Sequence, residues 1–195
     1  MQQAKSSFSS SRGFSLVEVV IAMGLLTIVS LGVAQLFAVA TRANQVAKGQ
    51  TSTTALAEQK LEQLRSLTWG YDTEGQGLPV SDTSSNLSVD PPNASGSGLN
   101  PSPSDSLASS QTNYVDYLDA HGQYVATGTS IPPEAVYVRR WSIQPLPTNP
   151  NNTLILQVLV TPVSNERIRQ GAGNGTLRRL PGDALLISVK TRKSQ

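Results

Sequence analysis

The stretch SSSRGFSLVEVVIAMGLL, residues 9–26, places a carboxylate at the start of a long apolar segment. The acid is Glu18, and the 23 residues that follow it, Val19–Thr41, contain no Asp, Glu, Lys or Arg. A helix of about 20 apolar residues crosses the ~30 Å hydrocarbon core of a bilayer. An acid at that depth is costly unless it is paired, so it is a functional suspect by default. The stretch therefore predicts a membrane-spanning helix that begins with a charge in need of a partner.

Basic residues before the apolar segment predict its orientation. Lys5 and Arg12 precede Gly13, where the chain has no acid, so the positive-inside rule places the N-terminus in the cytoplasm. Without residues 1–13 the chain carries 13 basic and 13 acidic side chains. The isoelectric point near 9.0 is therefore partly due to this short leader, and it does not by itself indicate a nucleic-acid-binding protein.

The apolar segment has two interpretations. In the first, it is a secretory signal peptide cut after Ala40, which would release a soluble protein beginning at Thr41. The apolar region of such peptides has about 7–15 residues, so this one would be unusually long, and it would contain Glu18. In the second, the chain is cut between Gly13 and Phe14 and keeps the helix.

The second interpretation is supported by a resemblance. RGFSLVEVVIAM, residues 12–23, resembles the class III signal of type IV prepilins: a basic leader, a glycine, an aromatic residue, and a glutamate four positions later. The resemblance implies that residues 1–13 are a leader that prepilin peptidase removes by cutting after Gly13. It also implies that the peptidase methylates the new amino terminus of Phe14, and that Glu18 is the glutamate of the family.

The spacing of Glu18 gives the charge a partner. Residues four apart lie on nearly the same side of a helix, so Glu18 is one turn from the α-amine that cleavage would create on Phe14. The two charges can pair within a chain, or between a chain and its neighbour, and low dielectric strengthens the pairing. We therefore expect Glu18 to set the axial register between otherwise apolar helices.

The helix is predicted to continue beyond the membrane. Residues 14–77 contain no proline, and after Arg42 small and apolar residues recur at steps of three and four. The pattern predicts a transmembrane and assembly helix over 14–41 and an amphipathic helix of the head over 42–69, ended by Gly70 as the glycine cap.

Two regions follow the helix. Residues 70–134 are a Ser/Pro/Gly-rich loop region with a short hairpin around Ala120–Gly122, and residues 81–113, with 11 Ser and 4 Pro, predict a long exposed or partly disordered loop. Residues 135–195 contain three strand-like runs, which predict a small antiparallel sheet. The sheet needs a cover, and the amphipathic helix is available to provide it. The predicted fold is therefore α+β and pilin-like, with a long N-terminal helix packed on the sheet.

The resemblance extends, more weakly, into the head. LAEQKLEQLRSL, residues 56–67, is similar to PilV-type minor pilins and to the related minor pseudopilins of type II secretion. It implies a minor subunit of a type IV pilus whose partners are the inner membrane, prepilin peptidase, other pilin or pseudopilin subunits and an assembly platform. It also implies a bacterial inner-membrane protein with a single span, which later enters a pilus or pseudopilus in the periplasm or at the cell surface. Pilus, type II secretion and competence systems all remain open.

A binding role is the other hypothesis. Arginines in the last third of the chain form a candidate polyanion patch for DNA or a surface, although adjacent arginines on a strand point to opposite faces. The residues are Arg139, Arg140, Arg167, Arg169, Arg178 and Arg179. We expect no enzyme, cofactor or metal site, because the chain has a single histidine, His121, no cysteine and no visible nucleophile–base set.

Overall fold

The computed structural model describes residues 13–71, 79–81, 85–94, 96–171 and 179–192. The chain divides into two compact units, Met1–Gln45 and Val46–Gln195, and the first helix contributes residues to both. In chain order the elements are α1 (Leu16–Ser66), β1 (Trp69–Tyr71), β2 (Pro79–Ser81), β3 (Ser85–Asn86), β4 (Asn93–Ala94), β5 (Val115–Leu118), β6 (Tyr124–Ala126), β7 (Tyr137–Pro145), β8 (Thr153–Pro162), α2 (Val163–Gly171) and β9 (Ala184–Thr191).

The described part of the first unit is an apolar helix. Within the described residues, α1 is the one helix that is long and apolar enough to span a membrane. Residues 16–45 are all exposed. The hydroxyls of Thr27 and Thr41 each donate a 2.8 Å hydrogen bond to the carbonyl four residues earlier, so these polar groups are satisfied by the helix itself. The segment thus has the length and surface that fit transmembrane anchoring.

In the second unit, α1 buries one side. The buried residues recur at three- and four-residue steps, as the sequence pattern predicts, and are Thr53, Ala57, Lys60, Leu61 and Leu64. This stripe faces the sheet. Lys60 is the unexpected member, because a lysine is almost never fully buried unless it is paired.

The helix ends earlier than the sequence pattern predicts. α1 stops at Ser66, and Trp69–Tyr71 form β1, which pairs antiparallel with β2. Gly70 therefore lies in a strand and not in a helix cap, which corrects the prediction. The cap is instead a side chain from β9, since the Lys190 ammonium donates hydrogen bonds to the carbonyls of Arg65 and Leu67. A cation at this end also suits the helix dipole.

The main sheet has five antiparallel strands in the order β6-β5-β7-β8-β9. The three strands predicted in the C-terminal region correspond to β7, β8 and β9, which are neighbours in the sheet. β5 and β6 form a hairpin in the place where one was predicted. The sheet is thus larger than the three-stranded one expected from the sequence.

The core lies between α1 and one face of the sheet, here called the helix face. Ala57, Leu61 and Leu64 pack there with Trp141 and Ile143 of β7, together with alternate residues of β8. Burying each large apolar side chain contributes about 1.5–3 kcal/mol. The helix on the antiparallel sheet confirms the predicted α+β, pilin-like layout.

The Ser-rich region contributes to this core. Leu87 and Leu99 are buried in the same cluster, and the serines Ser88, Ser102 and Ser106 are also buried. Ser102 receives a hydrogen bond from the Ile143 amide at 3.0 Å, which attaches this region to β7. The described part of the predicted loop is therefore exposed in places, as over residues 90–94, but its few apolar side chains are spaced to reach the core.

The opposite face of the sheet, here called the outer face, has its own cover. Val115, Tyr117 and Val138 form a second apolar cluster with Ala135 and with Val163, the first residue of α2. The sequence pattern predicts only strands in residues 135–195, so α2 was not expected there. Gly171 is the last residue of α2, and residues 172–175 lie outside the described residues.

The β5–β6 turn contacts α1. The carboxylate of Asp119 accepts hydrogen bonds from the amides of Gln123 and His121, both at 2.8 Å, and these bonds lower its pKa. Gly122 has a φ of +78°, and a Cβ added there would lie 2.7 Å from Cδ2 of Leu56. Glycine is therefore required at this position for its backbone conformation and for close approach to the helix.

We expect Gly122→Ala to lower the free energy of unfolding of the full chain by about 1–2 kcal/mol, because an L-residue is strained at this φ. Urea unfolding in detergent, followed by tryptophan fluorescence, measures it. The control is Gly49→Ala, where the added Cβ meets nothing within 4 Å and the helix favours alanine. Equal effects of the two variants would contradict the account of the turn.

Candidate functional site

The predicted cleavage residues, at the start of the described chain, are exposed. Gly13 and Phe14 precede α1, and Phe14 is 80% exposed. A Cβ added at Gly13 would meet nothing within 4 Å. The first backbone hydrogen bond here runs from the Val19 amide to the Ser15 carbonyl at 3.2 Å, so the helix begins just after the predicted cut.

Glu18 lies in the first turn of α1, where the positive end of the helix dipole favours an acid. Phe14, Glu18 and Ala22 line one shallow groove, which continues to Leu26. The side of the helix that carries Glu18 is therefore the side that carries Phe14, as the four-residue spacing predicts. The rest of the groove is apolar, and within it Glu18 is the ionisable side chain.

The candidate polyanion patch is not one exposed surface. Arg139 and Arg140 point to opposite faces of β7 and are 1% and 3% exposed, each in a salt bridge with an acid of the same chain. Arg169 is bonded to Glu166 and Asp183. Only two of the six predicted residues are exposed in the described structure, namely Arg167 and Arg179, while Arg178 lies outside the described residues. The prediction is corrected accordingly.

On the helix face, Asp116 of β5 holds two cations, and the three groups are here called the buried charge cluster. The Lys60 ammonium lies 2.8 Å from Oδ2 of Asp116, and the Arg139 guanidinium donates from Nε to Oδ1 and from Nη2 to Oδ2, both at 2.8 Å. Lys60, Asp116 and Arg139 are only 1–2% exposed. Buried charges require this degree of pairing, because water no longer solvates them.

The cluster links three parts of the head. Arg139 comes from β7 and donates from Nη1 to the Leu56 carbonyl of α1 at 3.1 Å and to Oε1 of Gln59 at 3.2 Å. Lys60 comes from α1 and donates to the Leu87 carbonyl in the Ser-rich region at 2.6 Å. Its ammonium also lies 4.5 Å from the centre of the Trp141 ring, a cation–π distance. Helix, sheet and loop region are therefore joined at one point.

The cluster changes the titration of its lysine. Burial lowers the pKa of Lys60 to about 8; the positive charge of Arg139 acts in the same direction, while Asp116 and the more distant Asp90 oppose it. Tyr124 has a raised pKa because of burial and the negative charge of Asp116. Lys60 is thus charged at neutral pH but loses its proton far more readily than an exposed lysine.

A second network lies on the outer face. Arg140 makes a two-point contact with Glu166 of α2, at 2.7 and 3.1 Å, and donates to the Ser110 hydroxyl at 3.0 Å. Arg169 joins Glu166 to Asp183, the residue before β9. Burial alone would raise the pKa of Glu166, but the hydrogen bonds and charges of Arg140 and Arg169 lower it. These contacts fix α2 to the sheet.

The sequence contained weak signals for both networks. Lys60 lies three residues after Ala57 and four before Leu64, on the stripe that the helix buries. Arg139 alternates with Trp141 and Ile143 along β7, so it shares their face. Neither pattern identifies the partner acid, because the partner is set by the β5–β7 pairing, in which Asp116 lies opposite Arg139.

The described residues show no group of three His, Cys, Asp or Glu side chains that could hold a metal ion. His121 is exposed at the β5–β6 turn, where its Nδ1 lies 3.7 Å from the Asp119 carboxylate. Nothing around this histidine in the described structure resembles a set of metal ligands.

Comparison with known proteins identifies the class of the N-terminal segment. Residues 8–34 match the family model of the prokaryotic N-terminal methylation motif. This confirms the resemblance to the class III signal of type IV prepilins and supports a protein of the type IV pilin and pseudopilin class, which suggests a structural role. Comparisons with curated proteins and with solved structures returned no match.

We expect the stability of the chain to depend on pH through Lys60. Between pH 8 and 10.5 the unfolded chain binds the proton while the folded chain has released it, so stability rises with pH. Relative to Lys60→Met, the wild-type chain should gain about 3 kcal/mol across this range.

Urea unfolding of both proteins in detergent at several pH values provides the measurement. Lys48→Met, at an exposed position of the same helix, is the control and should show no such trend. A stability difference between wild type and Lys60→Met that stays constant or falls with pH would contradict the burial account.

Proposed function

We propose that this chain is a minor subunit of a type IV pilus, of the PilV type. It is cut after Gly13 by prepilin peptidase, methylated on Phe14 and assembled through α1. The observation that carries the proposal is the shared groove of Phe14 and Glu18 at the start of an exposed apolar helix, inside the matched motif. A signal peptide that is discarded has no use for a carboxylate at this position.

The pairing of charges explains how such a helix could assemble. Cleavage would turn the Phe14 nitrogen into a cation at the edge of the membrane, one turn from Glu18. Glu18 of an incoming subunit can pair with the Phe14 amine of a subunit already in the filament. The two charges meet only at one axial offset between the two helices. Because an unpaired charge is costly in this surrounding, the pair selects register where apolar contacts alone would allow sliding.

The head supports a structural role. Buried charged side chains make contacts between α1, the sheet and α2, as in the buried charge cluster and the Arg140–Glu166 contact. The segment 56–67, on which the similarity to PilV-type pilins rests, contains four of the five buried residues by which α1 packs on the sheet. The strands that follow it, β7 and β8, are central in that sheet.

The proposal includes a location and partners. The chain is inserted in the bacterial inner membrane with its N-terminus in the cytoplasm, and it then enters a filament in the periplasm or at the cell surface. Prepilin peptidase, the assembly platform and other pilins are its partners. A minor pseudopilin of type II secretion is the second candidate, because the same motif and the same helix serve both kinds of filament.

The mature N-terminus tests the proposal directly. Mass spectrometry of the chain purified from its native membrane should find N-methylated Phe14 as the first residue. The physical reason is that only a cut before the apolar helix keeps Glu18 next to a terminal amine. A mature chain that begins at Thr41 would instead identify a secreted protein and overturn the proposal.

Glu18→Ala should leave the cut after Gly13 intact and reduce incorporation into filaments, because the register pair is lost. The amount of the chain in sheared filaments, relative to the membrane, measures this. Gln35→Ala is the matched control, since it also removes an exposed polar side chain from the apolar helix. Normal assembly of the Glu18 variant would show that the carboxylate does not set register.

A further inference from the structure

The main sheet ends in two strands that have no further neighbour among the described residues, β9 and β6. The Arg192 amide, just beyond β9, donates a hydrogen bond to the Asn152 carbonyl. Because the direction of the backbone groups alternates along a strand, the even-numbered residues of β9 point their N–H and C=O groups toward β8. The backbone groups of Leu185, Ile187 and Val189 consequently point away from the sheet. An edge of this kind is complementary to another extended strand.

Apolar side chains accompany this edge. Ile187 and Val189 are 57% and 59% exposed on the outer face, and Val189 lies opposite Ile155 of β8. At the other end of the sheet, Ala126 of β6 and the nearby Ile131 are partly buried in the outer-face cluster. β9 therefore presents backbone groups at its edge and exposed apolar side chains on the outer face, and β6 carries the Ala126 side chain on the same face at the other edge.

The direction of the strands relates the two edges. Every neighbouring pair in β6-β5-β7-β8-β9 is antiparallel, so the first and last strands run in the same direction. Two copies of the head in the same orientation can therefore be placed side by side with β9 of one next to β6 of the other. The pairing would be parallel and would continue the sheet from one head to the next.

We propose that β9 of one copy of this chain pairs with β6 of a second copy, so that the heads of adjacent subunits share a continuous sheet. Ile187 and Val189 of one head then lie beside Ala126 of the next. The inference rests on the proposed function, which requires neighbouring subunits whose chains enter their heads from the same side. It adds to that function a second contact, made by the heads, beyond the contact between the apolar helices.

The alternative arrangement of two copies conflicts with a common membrane. Two β9 edges could pair antiparallel about a two-fold axis perpendicular to the sheet. Such an axis reverses every direction in the plane of the sheet, including that of α1 packed on it, so the chains would enter their heads from opposite sides. The head-to-tail contact keeps one direction, and it leaves an edge free at each end, as an open assembly needs.

The size of the contact explains why it needs an anchored partner. β6 has three residues, and the exposed aliphatic side chains on β9 are two, so the contact is small beside the roughly 1,000 Å² expected of a stable interface. Two copies held in one membrane or filament have a high effective concentration, which allows a weak contact to form. We therefore expect no stable dimer of detergent-solubilised chains at low concentration.

Cysteine cross-linking tests the pairing, since the natural chain contains no cysteine. Two full-length copies with different tags are made together, one with Ile187→Cys and the other with Ala126→Cys, and membranes and filaments are treated with an oxidant or a short bismaleimide. A covalent dimer that contains both tags is expected, at several times the yield of the control. Val189→Cys paired with Ala126→Cys provides a second, independent pair.

The matched control replaces Ile187→Cys by Ile168→Cys, which is 60% exposed but belongs to α2 and to neither edge strand. A dimer formed by Ile187→Cys alone would indicate the antiparallel arrangement and overturn the proposal. Absence of the mixed dimer, or equal yield with Ile168→Cys, would do the same.

Mass spectrometry of the N-terminus in the same samples separates the two proposals. A processed chain in filaments without the mixed dimer refutes the edge pairing alone. A mixed dimer of chains that are not cut after Gly13 refutes the proposed function alone.

Discussion

The head depends on one carboxylate, Asp116, which holds a lysine from the helix and an arginine from the neighbouring strand. Both cations reach further, Lys60 to the Leu87 carbonyl and Arg139 to the Leu56 carbonyl, so the cluster joins helix, sheet and Ser-rich region. Removing the shared carboxylate would leave a lysine and an arginine buried side by side without an acid between them. Such a loss is among the most destabilising single changes in a protein interior, at about 3–5 kcal/mol.

Much of the fold could be predicted because it follows from periodicity. The charge-free segment, the three- and four-residue stripe of α1 and the apolar strands each repeat with the period of their element. The features that were not predicted from the sequence depend on contacts between residues far apart in the chain. Leu87 and Leu99 are isolated among serines and prolines, and only the packing of the head shows that they belong to the core. α2 is held by Arg140, which no local pattern predicts.

The same contrast between local and long-range information separates the two candidate sites, the N-terminal segment and the arginine patch. Gly13, Phe14 and Glu18 could be selected from the sequence because their pattern is local: all three lie within six residues, inside the matched motif of residues 8–34. The arginines could not, because a guanidinium on a strand looks the same in a sequence whether it faces solvent or a buried acid. The pairing of β5 with β7 decides this by placing Asp116 opposite Arg139. Arg139 and Arg140, which the sequence suggested as part of a basic surface, are therefore buried in ion pairs.

The measurement that tests this account most directly is a double-mutant cycle between Lys60 and Asp116. Unfolding free energies of the full chain in detergent are compared for wild type, Lys60→Met, Asp116→Asn and the double variant. We predict that the double variant is more stable than the sum of the single effects implies, by about 1–3 kcal/mol, because Asp116→Asn leaves the Lys60 amine buried without its acidic partner. Effects that add to within about 0.5 kcal/mol would show that the two residues act independently and would contradict the central place given to Asp116.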